Sequence, residues 1–334
     1  MDALDFLRGL PDASVNCCIT SPPYFGLRSY TDANPLEVGT EETPEQYVAA
    51  LVEIFREVRR VLTDDGTCWL NLGDSYSTHQ AGKVENPFAT SGLAGTRTAE
   101  VARNVKVEQD NYRNSVLPEK NLLGIPWRVA FALQADGWYL RSDIIWAKPN
   151  CMPESVTDRP TKSHEYVFLL TKNASYYYDA AAIAEPAAYD GRHDTLMKGS
   201  TKYKVSVVPG QVEHTMAANG HERWQMNDDG ERIRNKRTVW TIPTQPSTAA
   251  HFAVMPEALV APCILAGCPE GGTVLDSFFG AGTVGLVAQR LGRHWLGSEL
   301  NPTYVELATA RIQGDFEQYQ AREAGLPFTP RLFE

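Results

Sequence analysis

Apolar positions along the chain fall into two alternating patterns. The short run within residues 14–20, SVNCCIT, predicts a buried strand. From Pro44 to Leu62, Tyr47, Leu51, Ile54, Phe55, Val58 and Leu62 recur at helical spacing, and Thr43 stands where an N-cap belongs. Asp64-Asp65-Gly66 reads as a turn and TCWLNLG (67–73) as the next strand. Strand, helix, strand is the repeating unit of a parallel α/β sheet. The pattern lapses over 74–118, rich in Ser, Thr, Gly and Asn, which reads as a long loop. It resumes as a helix over 126–138 and strands over 139–148 and 164–172, then lapses again across the polar stretch 180–238.

From 251 onward, HFAVMPEALVAPCILAGC reads as a lead-in and a helix. TVLD (273–276) is a strand ending in a carboxylate, SFFGAGT turns, VGLVAQRLG is a helix, and HWLGSEL is a strand ending in Glu299. PTYVELATARIQ closes the pattern as a helix. The expected architecture is α/β, a Rossmann-like fold with a mostly parallel central sheet and an inserted region. Its parts are 1–178 (with a loop insertion at 77–118), 179–238, and 239–334.

Composition changes this picture little. The 334 residues are 43% hydrophobic and 22% charged, as in soluble enzymes, with no apolar run of membrane-spanning length and no signal-like N-terminus. Six cysteines without paired spacings read as buried thiols of a reducing, cytoplasmic compartment, and seven scattered histidines give no metal motif. The net charge of −10 argues against nucleic acid as a partner, yet residues 192–240 carry nine Lys/Arg against six Asp/Glu. Within them, ERIRNKR (231–237) sets Arg232, Arg234, Lys236 and Arg237 close together, either a solvated face or a phosphate-contacting one.

Two motifs carry chemistry. Gly280-x-Gly282-x-x-Gly285 between strand and helix, with Glu299 after the next strand, is a nucleoside-site pattern. Asp276 precedes the glycines, where its charge would oppose a pyrophosphate, so the loop suits S-adenosylmethionine better than NAD. That ligand has an ammonium group for an acid, a ribose for Glu299 and no phosphate, and the glycines let the backbone come close to it. The other motif is TSPPYFGLR (20–28), where two prolines stiffen the exit from a strand between a hydroxyl and an aromatic ring.

Together these resemble the amino-methylating DNA methyltransferases of the β group. Ser21-Pro22-Pro23-Tyr24 near one end and DSFFGAGT near the other are in that family's order, catalytic motif first and cofactor motif last. RRVLTDDGTCWLNLGDSY and RSDIIWAKPN…DRPTKSHEYVFLLTK are similar to its middle motifs. The resemblance covers roughly 1–76, 119–179 and 239–313. It implies methyl transfer from S-adenosylmethionine to the exocyclic amine of a base flipped from double-stranded DNA, with the middle region as target reader.

The cofactor residues so implied are Asp2, Thr20, His251, Phe252, Ala253, Pro256, Asp276, Phe278, Gly280, Gly282, Thr283, Glu299 and Asn301. Ser21 Oγ and the Pro22 carbonyl would take the amine hydrogens, and Tyr24 would face the flipped base. In this family a leading Ser mostly accompanies cytosine-N4 methylation, while Asp or Asn mostly accompanies adenine-N6, so cytosine is expected and adenine is the alternative. Family members usually have a strand before a Gly-Asp pair; here Met1-Asp2 stands in its place and nothing precedes it. A homodimer and a cognate restriction endonuclease are partners the resemblance allows. An NAD-linked oxidoreductase, resting on the glycine loop, and a non-catalytic DNA-binding protein are the readings from other classes.

Overall fold

A computed structural model of the chain describes residues 1–26, 36–77, 117–187, 225–226, 232–245 and 255–323. The chain divides into one unit of residues 1–179 and 238–334 and a second of residues 180–237. Its elements in order are α1 (Ala3–Arg8), β1 (Val15–Thr20), α2 (Pro44–Val61), β2 (Leu62–Leu72), α3 (Ile125–Ala135), β3 (Tyr139–Ala147) and β4 (His164–Thr171). Then come β5 (Glu185–Pro186), β6 (Gln225–Met226), β7 (Arg232–Arg234), β8 (Val239–Thr241), α4 (Glu257–Gly267), β9 (Thr273–Asp276), α5 (Thr283–Arg290), β10 (His294–Gly297) and α6 (Pro302–Glu323).

The larger unit is built on one seven-stranded sheet, ordered β10-β9-β1-β2-β4-β3-β8. β10, β9, β1 and β2 run parallel, β3 pairs parallel with β8, and β4 runs antiparallel to both its neighbours. This mostly parallel sheet with its packed helices is the Rossmann-like arrangement the sequence predicts. The chain's two ends meet at its middle, where Cys17 and Cys18 of β1 pair with Val274 and Leu275 of β9. From there β1 leads outward through α2 to β2, and β9 leads the other way through α5 to β10. Such a reversal leaves a crevice beyond the strand ends, where ligands of open α/β sheets bind.

The core follows from the helical spacing read in the sequence. Tyr47, Leu51, Ile54, Phe55, Val58 and Val61 are the buried face of α2, each worth about 1.5–3 kcal/mol relative to exposure. Thr43 and Gln46 close a capping box at its start.

Several boundaries differ from the sequence reading. Asp64-Asp65-Gly66 is not a turn between elements: β2 begins at Leu62, and its register against β1 jumps from Val15↔Leu62 to Cys17↔Thr67. The three residues are absorbed as an irregularity inside the pairing. The third helix ends at Ala135, because Asp136 caps it and Gly137 turns at φ 101°, which leaves Trp138 outside. β10 stops at Gly297, so Glu299 lies in the loop beyond it. α6 runs ten residues past the expected end at Gln313, to Glu323. Val239–Thr241, unassigned in the sequence, adds the edge strand β8.

The smaller unit carries a three-stranded antiparallel sheet, β5-β7-β6, within a stretch whose sequence shows no periodicity. Most of the 77–118 insertion and of the 179–238 region falls outside the described residues.

Candidate active site

The ends of β1 and β9 define the site. Thr20, the last residue of β1, is buried, and its hydroxyl donates to Asp276 Oδ1 at the end of β9 across 2.7 Å. The same oxygen accepts the Phe278 amide at 3.0 Å. Burial pushes the Asp276 carboxyl up to about 7; the two hydrogen bonds oppose that rise, and the charge of Glu299 adds to it. Among the described residues this buried carboxylate has neutral donors and another acid beside it, surroundings in which a cation would stabilise its charged form.

The glycine loop continues from there. The Gly280 amide donates to Glu299 Oε2 at 2.8 Å and the Asn301 amide to Oε1 at 2.8 Å, which fixes the carboxylate and leaves each oxygen a second lone pair. The N-terminal ammonium of Met1 donates to the Glu299 carbonyl at 2.8 Å, bringing the start of the chain to this loop. Asp2 caps α1 there, accepting from the amides of Leu4 and Asp5. Asn301 Oδ1 accepts the Thr303 amide at the start of α6, and Thr283 Oγ1 accepts from Arg311 of α6 at 2.9 Å. Phe278 packs against the main core, and Pro256 is the N-cap of α4.

Two of the three motif glycines are explained by packing. A Cβ on Gly282 would lie 2.9 Å from Ala308 Cβ, and one on Gly285 would lie 2.6 Å from Phe279 Cζ. The Phe279 ring stacks on Trp295 at 5.2 Å and fills this space. Gly280, at φ 50°, is the member that brings backbone against Glu299.

On the other side of Thr20, the two prolines hold Ser21 and Tyr24 around a polar cluster that the sequence reading missed. Tyr47 Oη donates to the Pro23 carbonyl at 2.8 Å, while among the described residues no hydrogen bond reaches the Pro22 carbonyl. Asn71, buried one residue before the end of β2, accepts at Oδ1 from Ser21 Oγ at 3.3 Å. Its Nδ2 donates to Glu165 Oε2 at 3.2 Å and to the Tyr166 carbonyl at 3.1 Å. The Tyr24 hydroxyl lies 2.6 Å from Glu165 Oε2 and 3.2 Å from Asn71 Oδ1. It has one hydrogen, which belongs on the nearer, charged acceptor. Burial, and then the charge of Glu165, push the Tyr24 phenol well above its usual range, so it stays protonated.

Glu165 Oε1 pairs with Lys148 Nζ, which sits 4.1 Å from the centre of the Trp146 ring. A Cβ on Gly73 would meet the Tyr24 ring at 2.4 Å, so that glycine is what lets the ring lie against β2. A lone Asn inside WLNLG and a Glu opening an apolar strand were the sequence signals available for Asn71 and Glu165.

His251, Phe252 and Ala253 lie outside the described residues. Of the basic run, Arg232 and Arg234 bound β7; Arg234 and Arg237 both pair with Glu185, at 3.5 and 2.7 Å, within the smaller unit. Arg237 also donates its amide to Glu185, and these contacts hold that carboxyl below its ordinary range. Among the described residues no cluster of three or more His, Cys, Asp or Glu could hold a metal, and no helix is long and apolar enough to cross a membrane.

Comparison with known proteins places this geometry. The family model described as DNA methylase matches residues 15–310. The chain is 45% identical over 317 residues to the Type II methyltransferase M.Cfr9I of Citrobacter freundii, covering 94% of this chain and 86% of that one. It is 43% identical over 311 residues to M.SmaI of Serratia marcescens, covering 93% and 88%. Among solved structures it resembles the PvuII DNA methyltransferase (cytosine-N4-specific), with TM-score 0.58, 17% identity, and 96% and 90% of the two chains covered. It also resembles a DNA modification methylase of Thermus thermophilus complexed with S-adenosyl-L-methionine, with TM-score 0.53, 20% identity, and 94% and 91% covered. These likenesses supersede the oxidoreductase reading of the glycine loop, and the chain belongs to the N6/N4 DNA methylase family.

Proposed function

We propose that this methylase is the modification enzyme of a Type II system and transfers a methyl group from S-adenosylmethionine to N4 of a cytosine flipped out of duplex DNA. The observation that carries this is the adjacency of Ser21 to the buried Thr20–Asp276 pair, which puts an amine acceptor one residue from a cation site. Its Type II relatives and its likeness to the cytosine-N4-specific PvuII DNA methyltransferase support the reading.

The residues present fit the cofactor. Asp276 would take its ammonium group, Glu299 its ribose hydroxyls and Gly280 its close backbone approach, with Asp2, Thr20, Phe278, Gly282, Thr283, Asn301, Pro256 and the 251–253 segment around it. When bound, the cofactor supplies an electrophilic methyl on sulfur. The protein's part is to position and polarise the amine. An exocyclic amine is a poor nucleophile while its lone pair is delocalised into the ring. Acceptors at Ser21 Oγ and the Pro22 carbonyl hold its hydrogens and turn that lone pair toward the methyl. Asn71 takes the Ser21 hydrogen, leaving the serine's lone pairs for the substrate. Ser21 has no direct carboxylate partner among the described residues, so the departing proton goes to solvent after the transfer. Alignment of amine and methyl contributes on the order of 7–11 kcal/mol of rate enhancement. Tyr24 offers a ring face for the flipped base, and Arg232, Arg234, Lys236 and Arg237 contact DNA phosphates.

Base-resolved sequencing of DNA from cells expressing the protein tests the base and the reaction together. N4-methylcytosine at a fixed motif is expected. N6-methyladenine would replace the cytosine reading with the adenine one, and unmodified DNA would favour a non-catalytic DNA-binding protein. Ser21→Ala should slow single-turnover methylation while leaving cofactor affinity unchanged.

A further inference from the structure

We propose that Glu165, held by Lys148, is a positioning residue that fixes Ser21 as a hydrogen-bond acceptor without touching the substrate. This rests on the reading of Ser21 given above. The polarity of Ser21 is set by a chain of single-hydrogen choices. Glu165 Oε2 takes the Tyr24 hydroxyl hydrogen at 2.6 Å, so that hydrogen is withdrawn from Asn71 Oδ1, its other neighbour at 3.2 Å. The same oxygen accepts Asn71 Nδ2, and with the Tyr166 carbonyl it keeps the amide turned with nitrogen toward β4 and oxygen toward Ser21. Asn71 Oδ1 is then the acceptor for the Ser21 hydroxyl hydrogen, which leaves the serine's lone pairs for the substrate amine. A flipped amide would donate to Ser21 Oγ and turn its hydrogen toward the substrate amine, where a donor opposes another donor.

Lys148 decides which Glu165 oxygen does this. It engages Oε1, and its place beside the Trp146 ring holds the ammonium from a fixed direction. Glu165 and Lys148 are each mostly buried, with side-chain exposures of 15% and 17%, so the pair is a directed contact and not a screened surface one.

In Glu165→Gln, the ammonium draws the amide oxygen of the new side chain to itself and turns its NH2 group onto Tyr24 and Asn71, inverting the polarity that Ser21 needs. The experiment measures single-turnover methylation of unmethylated bacteriophage DNA and calorimetric S-adenosylmethionine affinity for E165Q, S21A, S21A/E165Q and E165Q/K148M. E165Q should slow methyl transfer by about tenfold, the worth of one oriented hydrogen bond, at unchanged cofactor affinity. In the S21A background it should cost little more, because the residue it acts through is gone. K148M should partly restore E165Q, since without the ammonium the Gln oxygen is free to face Asn71. Near-wild-type transfer by E165Q, or losses that add in the double variant, would overturn the inference. Wild-type transfer by S21A would overturn the Ser21 reading itself, and this inference with it. Should E165Q fail to fold, as judged by thermal melting, K148M alone answers: it should slow transfer in the wild-type background and not in S21A.

Discussion

The Thr20 hydroxyl donates to Asp276 Oδ1 across 2.7 Å, tying together the C-terminal ends of two parallel strands 256 positions apart in the chain. Ser21-Pro22-Pro23-Tyr24 follows one of these ends and the glycine loop the other. The bond therefore sets the distance between the two motifs to which the proposed function gives the amine and the methyl donor.

Cofactor affinity should depend on pH through Asp276. Its carboxyl sits at about 7 because it is buried, and only the ionised form attracts an ammonium group. Affinity should rise roughly tenfold per pH unit below 7 and level off above it, up to the point where the ligand's own amino group loses its proton near pH 8. Titration calorimetry between pH 5.5 and 7.5 measures the slope. Asp276→Asn should bind at least tenfold more weakly at pH 7.5 and show no such slope.

The same residue should destabilise the ligand-free fold. Its folded value of about 7 lies above the ordinary 3.8, so the native state binds more protons than the unfolded chain between those limits. Its contribution to stability is favourable below pH 4 and is lost as pH rises toward 7. The loss is on the order of a few kcal/mol. Asp276→Asn should accordingly raise the urea midpoint at pH 8 more than at pH 5, while weakening cofactor binding at pH 8 and changing it little at pH 5, where the wild-type carboxyl is already protonated.

Gly297 should matter for packing. A Cβ there would sit 2.2 Å from Phe279 Cδ2, in the ring that also occupies the space beside Gly285. Gly297→Ala must displace Phe279 from Trp295, at a cost of about 1–3 kcal/mol. Denaturant melts measure this. Gly271→Ala is the contrast, because nothing lies within 4 Å of its Cβ position and only its positive φ of 69° is strained.

DNA affinity should be tunable from Glu185. This carboxylate pairs with both Arg234 and Arg237, so it neutralises part of the basic run. Glu185→Gln should tighten DNA binding and steepen its salt dependence. Neutralising Arg232, Arg234, Lys236 and Arg237 should weaken binding and lower the salt slope by about one per lost phosphate contact. Fluorescence anisotropy at several salt concentrations measures both; unchanged affinity in both variants would leave the run a solvated face.

The sequence by itself determined what depends on neighbours along the chain. The spacing of Tyr47, Leu51, Phe55 and Val58 specifies one buried helix face, Pro22 and Pro23 specify a stiff exit after Thr20, and the order of SPPY and DSFFGAGT identifies the family. Tertiary structure decided what depends on strand order. Nothing local in TVLD says that it will pair with VNCCIT and bring Asp276 to Thr20; that follows from the parallel pairing of β9 with β1, where the order of strand addition reverses. Nothing local in WLNLG or HEYVFLL says that Asn71 and Glu165 will share a hydrogen-bond cluster with Ser21 and Tyr24. They meet because β4 pairs antiparallel with β2, in a register that sets Asn71 opposite Val167 with Leu72 opposite Tyr166. Local periodicity fixes which face of an element is buried. Which polar atoms meet is fixed by pairing between strands far apart in the chain, and that is settled only when the whole sheet closes around its core.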